Sequence, residues 1–277
     1  MCFAVTKMNN NFTFLENVAY GNHERHSLDI YIPKTVKTHS GVILFIHGGG
    51  WHQGYKEAHR PDAEFFCNEG YVSATMNYRF VSESLNVSDE LDDISSALEA
   101  IKEKCSEYGL NVAKLILSGA SAGAHLSLLY AYTRKETAPL SPVAVCAYCP
   151  PVDCSKADFL LGISGQFENW KYEILSKCCG IKITKDTFLN EPQQQALKRI
   201  SPQNYVDEFT VPTAVFHGKL DDIIPLEHIR EFVDLLKENG VKNDFLIYEN
   251  SGHTLDKDPE AAEKAREIIR KYAVKYF

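Results

Sequence analysis

Positive charge is what this 277-residue chain has too little of. Lys and Arg number 29 against 37 Asp and Glu, a net charge of −8, and no basic cluster interrupts the balance. A nucleic-acid partner needs a basic footprint, so that class is excluded. Long apolar runs are missing too. The longest, near Val42 to Ile46, is far too short for a membrane span. The opening MCFAVTKMNNNFTF lacks an apolar h-region, so no signal peptide is expected and a cytoplasmic setting follows. Repeats and low-complexity tracts are absent. With 44% hydrophobic and 24% charged residues, the composition is that of a globular chain, neither disordered nor collagen-like. A chain of this length buries a sizeable core without disulfides or metal.

Cysteine is present, eight in all, but without the arrangements that carry chemistry. In a cytoplasmic chain free thiols are the expectation. Cys146 and Cys149 form C-x-x-C, yet a zinc or redox site needs a second pair or a thioredoxin-like context. They lie in an apolar run, PVAVCAYCP, that reads as a buried strand. Vicinal Cys178 and Cys179 give poor ligand geometry. Neither a metal nor an organic cofactor is expected. The N-x-[ST] matches at Asn11 and Asn86 carry no weight in a chain that stays out of the secretory path.

Strand and helix patterns alternate along most of the chain. Phe12–Leu15 and Ser27–Ile32 read as early strands. GVILFIH (Gly41–His47) is a continuous apolar run, as in a strand covered on both faces. Further strands are predicted at Tyr71–Tyr78, Lys114–Ser118, Val143–Tyr148, Thr213–His217 and Asp244–Tyr248. Helices are predicted at Pro61–Asn68, Asp89–Tyr108, Ala122–Tyr132 and Pro225–Asn239. Gly109 and Gly240 act as stops, and a last helix opens at Asp258-Pro259-Glu260 with Asp258 as cap. This alternation implies an α/β fold with a mostly parallel sheet and helices on both faces. Between Pro150 and Val211 the rhythm breaks. A structureless loop of that length is uncommon, so residues 151–210 are read as a small lid inserted into one domain spanning 1–277, over a site at the strand ends.

Four short stretches fall at those strand ends. The strand Lys114–Ser118 runs into Gly119-Ala120-Ser121-Ala122-Gly123 and then a helix, which is G-x-S-x-G in the strand–turn–helix context the motif requires. His47-Gly48-Gly49-Gly50-Trp51 follows another strand. Three successive glycines can aim backbone N–H groups at developing negative charge, and Gly49 and Gly50, with Ala122, are the candidate oxyanion hole. His217-Gly218-Lys219-Leu220-Asp221-Asp222 places an acid past a strand end, and Ser251-Gly252-His253-Thr254 places a histidine past the next. The order Ser121, Asp221, His253 is the Ser…Asp…His order of α/β-hydrolases. Asp222, next in the chain, is the alternative carboxylate.

On these motifs the sequence resembles α/β-hydrolase-fold esterases of the hormone-sensitive-lipase-like and bacterial acetyl-esterase group, including acetyl-xylan and feruloyl esterases, from about Leu28 to its end apart from the insertion. Tyr78-Arg79 matches a Tyr-Arg pair after the oxyanion strand in that group. Three positions depart from the group's pattern: Ala120, Ala124 and the Phe80-Val81-Ser82-Glu83 run. The resemblance implies a serine esterase with Ser121 as nucleophile, His253 as base, Asp221 as its orienting acid, and oxyanion donors at Gly49, Gly50 and Ala122. The expected substrate is a small-molecule, short-chain and plausibly acetyl ester, on a sugar or xylan oligosaccharide. The same triad and His-Gly-Gly-x-Trp loop also occur in arylformamidase-type amidases. A hydrolase fold reused as a non-catalytic ligand receptor is the third reading. The chain is expected to work as a monomer or homodimer.

Other residues read more plainly. His47 and His217 are expected to brace loop backbones, and His125 to point into the fold. His23, His26, His39, His52, His59 and His228 are expected at the surface or in loops. Trp51 and His52 flank the oxyanion loop. Phe159, Leu160, Leu161, Phe167 and Trp170 either line an acyl pocket or simply pack.

Overall fold

Along β4 (Gly41–Ile46), Val42, Leu44 and Ile46 enter one hydrophobic core while Ile43 and Phe45 enter another. Successive side chains of a strand point to opposite faces, so an unbroken apolar run marks a strand covered on both sides. The computed structural model describes residues 5–8, 11–37, 40–160, 162, 165 and 167–277. Within these residues the sheet has nine strands: β1 (Val5–Met8), β2 (Phe12–Ala19), β3 (Ser27–Pro33), β4, β5 (Val72–Met76), β6 (Lys114–Ala120), β7 (Ser141–Tyr148), β8 (Thr213–Gly218) and β9 (Asn243–Tyr248). Their order is β1-β2-β3-β5-β4-β6-β7-β8-β9. The first three contacts, from β1 through β3 to β5, are antiparallel and the rest parallel.

Helices cover both faces. α1 (Arg60–Asn68) and α7 (Pro259–Tyr276) contribute Phe66, Ile269 and Tyr272 to the core of Ile43 and Phe45. On the other face, α2 (Val87–Glu107), α3 (Ala122–Thr133) and α6 (Leu226–Glu238) contribute Ile94, Leu126 and Phe232 to the larger core. This is the α/β-hydrolase architecture that the sequence led us to expect. The 150–211 segment contains α4 (Glu168–Cys179), α5 (Glu191–Arg199) and a short 3₁₀ turn at Pro202–Tyr205. Among the described residues, no helix is long and apolar enough to cross a membrane.

Some local expectations shift. α2 starts at Val87 because Asn86 caps it: its side chain accepts from Ser88 N (2.8 Å), and Asp89 accepts from Asn86 N (2.8 Å), a capping box. Asp258 precedes α7 but makes no side-chain cap. Its carboxylate instead accepts from Asn250 Nδ2 (2.8 Å) and Ser251 Oγ (2.6 Å). His228 is buried in α6 against Asp158 (2.9 Å), and His26 is half-buried against Asp93 (3.1 Å), so neither is a plain surface residue.

The register aligns the strand ends that matter. Ile46 lies beside Gly119, Ala120 beside Tyr148, and Gly218 beside Tyr248. The residues that follow β4, β6, β8 and β9 therefore emerge together along one edge of the sheet.

Candidate active site

Ser121 stands between the end of β6 and the first turn of α3 with φ 52° and ψ −120°. A non-glycine residue in this region is strained and persists only where its surroundings hold it. Here Ser121 N donates to Tyr148 O (2.8 Å), and His125 N donates back to Ser121 O (3.0 Å). The sharp reversal brings α3 onto β4: a Cβ at Gly123 would lie 2.1 Å from Ile46 O, and one at Gly119 2.6 Å from Gly123 C. The two motif glycines thus reflect close approach of backbones on either side of the turn.

The serine hydroxyl lies 2.9 Å from His253 Nε2, and His253 Nδ1 lies 2.7 Å from Asp221 Oδ2. An ionised carboxylate only accepts, so Nδ1 carries the proton and Nε2 is free to accept the serine proton. The other oxygen of Asp221 accepts from Ile223 N and Ile224 N, each at 2.9 Å. Burial works to raise the Asp221 pKa, but the bond and charge of His253, the nearby His217 and the Ile224 amide outweigh it and hold the carboxyl below its ordinary value. Asp222 makes none of these contacts. The loop bearing His253 is anchored by Asp258 through Asn250 and Ser251, a role that sequence reading missed because Asp-Pro before a helix resembles a cap.

The loop after β4 is braced from several sides. Gly49 has φ 116°, and a Cβ there would lie 2.1 Å from Gln53 O. Its carbonyl accepts from His52 N and Gln53 N. The amides of Gly49 and Gly50 have no backbone acceptor among the described residues, and Ala122 N belongs to the unpaired first turn of α3. His47 Nδ1–H donates to Gly48 O (2.7 Å), its Nε2 accepts from Arg25 (3.3 Å), and Tyr78 Oη donates to His47 O (3.0 Å). Arg79 pairs with Asp93 at 2.6 Å. The Tyr78-Arg79 pair is therefore scaffolding behind the loop. Arg25 also donates to Tyr78 O and Gly54 O, and nothing local in its sequence announces this.

Trp51 Nε1 donates to His125 Nδ1 (3.1 Å), and His125 Nε2–H donates to Ile200 O (2.6 Å). One imidazole thus joins the glycine loop, the serine helix and the end of α5. Burial pushes the pKa of both His47 and His125 down to about 4, so each ring is neutral. His217, also lowered by burial, donates from Nε2 to Ile224 O (3.0 Å). The expected roles of His47, His125 and His217 hold.

A cavity of about 510 Å³ opens over the serine, bounded by Gly49, Gly50, Ser121 and His253 on the sheet side. Leu160, Phe167 and Trp170 face it from the 150–211 segment, with Ile223 beside them. A Cβ at Gly50 would come within 2.8 Å of the Trp170 ring, so the glycine makes room for the indole. Trp51 and His52 also line the cavity. Phe159 instead belongs to the core, and Leu161 lies outside the described residues.

Cys149, His217 and Asp221 bring potential metal-ligand atoms within 4.8 Å of one another. Asp221 is already engaged by His253 and two amides, and His217 by Ile224 O. Burial, with Asp221 next to it, raises the Cys149 thiol well above its ordinary value, which disfavours the thiolate a metal needs. The seven described cysteines are free thiols. Cys2 and His39 lie outside the described residues.

Comparison with known proteins places this site in context. A probable isoprenylcysteine alpha-carbonyl methylesterase of Arabidopsis thaliana is 25% identical over 253 residues, covering 86% of this chain and 56% of the relative. A probable carboxylic ester hydrolase, LipM, of Mycobacterium tuberculosis is 27% identical over 232 residues, covering 80% and 51%. The chain spans little more than half the length of these relatives. A truncated carbohydrate esterase from gut microbiota superposes with a TM-score of 0.76 at 20% identity, covering 98% of this chain and all of the other. The model of the BD-FAE family matches residues 28–236, three quarters of the sequence, and the chain belongs to that family.

Proposed function

We propose that this protein is a serine carboxylic-ester hydrolase working through an acyl-enzyme, with Ser121, His253 and Asp221 as its triad. The observation that carries this reading is the continuous line from Ser121 Oγ to His253 Nε2 and from His253 Nδ1 to Asp221 Oδ2, at 2.9 and 2.7 Å. His253 takes the serine proton as Oγ attacks the ester carbonyl. Asp221, held ionised, keeps the productive tautomer and stabilises the imidazolium. The amides of Gly49, Gly50 and Ala122 and the amino end of α3 receive the oxyanion. His253 then protonates the departing alcohol, and water repeats the cycle on the acyl-enzyme. The substrates are short-chain esters, acetyl esters of sugars or xylan oligosaccharides foremost. In support, the serine opens into a cavity of about 510 Å³, and a carbohydrate esterase shares the fold. The 151–210 segment acts as a lid within a single domain, and its aromatic side chains wall the acyl side.

The test is hydrolysis of p-nitrophenyl acetate by wild type and Ser121→Ala, with N-formylkynurenine and an isoprenylcysteine methyl ester, the substrate type in the plant relatives' names, run beside it. Wild type is expected to turn over the acetate, and the variant to lose about 10³-fold or more. Equal, slow rates in both would refute the triad. A far higher kcat/KM on the formamide would make the protein an amidase, and one on the methyl ester would move the substrate class.

A further inference from the structure

Ser121 and His253 border a second cavity. It measures about 400 Å³ and touches neither the glycine loop nor the 150–211 segment. Its lining shares only those two residues with the first cavity. Tyr148 and Tyr248 reach it from the ends of β7 and β9, His59 and Asp62 from the start of α1, and Arg266 from α7.

Both cavities have largely apolar walls, Leu255, Ala262 and two tyrosine rings in the second, but the second adds charged side chains. The first is walled by Trp, Phe, Leu and Ile side chains. In the second, Arg266 Nη2 lies 3.5 Å from Asp62 Oδ1, Asp62 Oδ2 lies 3.2 Å from His59 Nδ1, and Glu263 lies 3.7 Å from Arg266 Nη1. The guanidinium is matched by carboxylates, so this wall offers donors and acceptors with little net charge. That suits neutral hydroxyls better than an anion. Tyr248 is only 1% exposed. Its ring lines the cavity beside that of Tyr148, and no protein hydrogen bond is seen for either hydroxyl among the described residues. Neither hydroxyl is among the fully buried polar atoms left without a partner, so both are open to the cavity and free to bond a ligand or water there.

We propose that this second cavity is the leaving-alcohol site, and that Tyr248, Asp62 and Arg266 select alcohols bearing further hydroxyl groups. The inference rests on the ester-hydrolase reading. When Ser121 Oγ bonds the carbonyl carbon, the carbonyl oxygen turns toward the Gly49 and Gly50 amides, and the acyl group stays with them in the acyl-enzyme. The bond from carbon to the alcohol oxygen breaks, and its electron pair goes to that oxygen. The oxygen takes from His253 Nε2 the proton that Ser121 gave up. The departing fragment therefore needs room beside His253 and away from the glycine loop, which is where the second cavity lies.

The test uses two substrate series on the full chain: acetates of ethanol, glycerol and a hexose, and ethyl esters from acetate to hexanoate. Tyr248→Phe and Arg266→Gln are expected to lower the kcat/KM ratio of hexose acetate to ethyl acetate about tenfold or more, because a site built to bond hydroxyls discriminates strongly through them. The acyl-length ratio is expected to stay within about twofold. Trp170→Ala is expected to do the reverse. Both ratios are internal to each variant, so a partly unfolded preparation does not mimic the effect. If Tyr248→Phe and Arg266→Gln shift the acyl-length ratio instead, or move neither, the proposal is overturned while ester hydrolysis stands. If wild type hydrolyses no ester, or Ser121→Ala matches it, the ester-hydrolase reading itself fails.

Discussion

Two regions meet over Ser121 and are built differently. At the carboxyl edge of the sheet, each member of the Ser–His–Asp array sits just past a strand, and local backbone geometry sets its place: a strained turn for Ser121, paired amides for Asp221, an Asp258 anchor for the His253 loop. Among the described residues, the 150–211 segment has no strand to lean on. It is tied by side chains reaching backbone groups. Lys171 Nζ donates to Ala157 O (2.6 Å), Gln194 Nε2 to Ser155 O (3.3 Å), and Ser201 Oγ accepts from Cys154 N (2.9 Å). The first region is specified by residues near in sequence, the second by contacts that exist only once the chain has folded. Substitutions in the first should therefore act on chemistry, and those in the second on substrate fit and local stability.

The sharpest separation comes from Asp221→Asn against Leu160→Ala. Asp221→Asn keeps the shape but loses the charge that selects the His253 tautomer, so kcat should fall about 10²–10⁴-fold with little change in KM. Leu160→Ala widens the cavity wall and removes a buried core side chain, so it should cost stability but change kcat/KM within about tenfold. A Leu160→Ala enzyme as crippled in kcat as Asp221→Asn would erase the distinction.

The next expectation concerns acid. His47 and His125 have folded-state pKa values pushed down to about 4 by burial, below the ordinary value of about 6.5. Between these values the unfolded chain binds protons that the folded chain refuses. Stability is therefore full above the unfolded value and is lost as pH falls toward about 4, by at most about 3 kcal/mol per histidine. Urea midpoints measured from pH 7 down to pH 4 check this, and His125→Asn should flatten the slope. An unchanged slope would assign the loss to other groups.

The smallest effect belongs to the 150–211 segment and has its own sign. Burial lowers the Lys171 pKa from 10.5 to about 8. The folded state sheds its proton first, so stability rises as pH climbs from about 8 to 10.5. Wild type should gain a few degrees of Tm relative to Lys171→Met across that window. A Tm difference that stays flat would mean the lysine is wetter than the fold shows.

The same contrast explains what could be read from the chain alone. Eight of the nine strands, the five sheet-covering helices and the placement of Ser121, Asp221 and His253 at strand ends were legible because G-x-S-x-G, the triple glycine and apolar runs are local patterns, whereas the short edge strand β1 was not expected. α4 and α5 were not. α5 buries only Ala196 and Leu197, and α4 buries Lys171 among its apolar residues, so neither presents a clean apolar stripe. The capping role of Asn86 hid inside an unrelated motif. The second cavity was illegible because His59, Tyr148, Tyr248 and Arg266 come from four separate elements, and only the sheet register and the packing of α1 and α7 bring them together.

His125 has a mechanical consequence. Both its nitrogens are engaged, one by Trp51 and one by Ile200 O, and the ring is neutral through the physiological range. It works as a rivet whose grip does not loosen with ordinary changes in acidity. Any swing of the inserted helices that spares this rivet must pivot before Ile200. Trp170 packs on Gly50 and His52, so such a swing reaches the glycine loop through the indole, while the Trp51–His125 bond holds the other side of that loop in place.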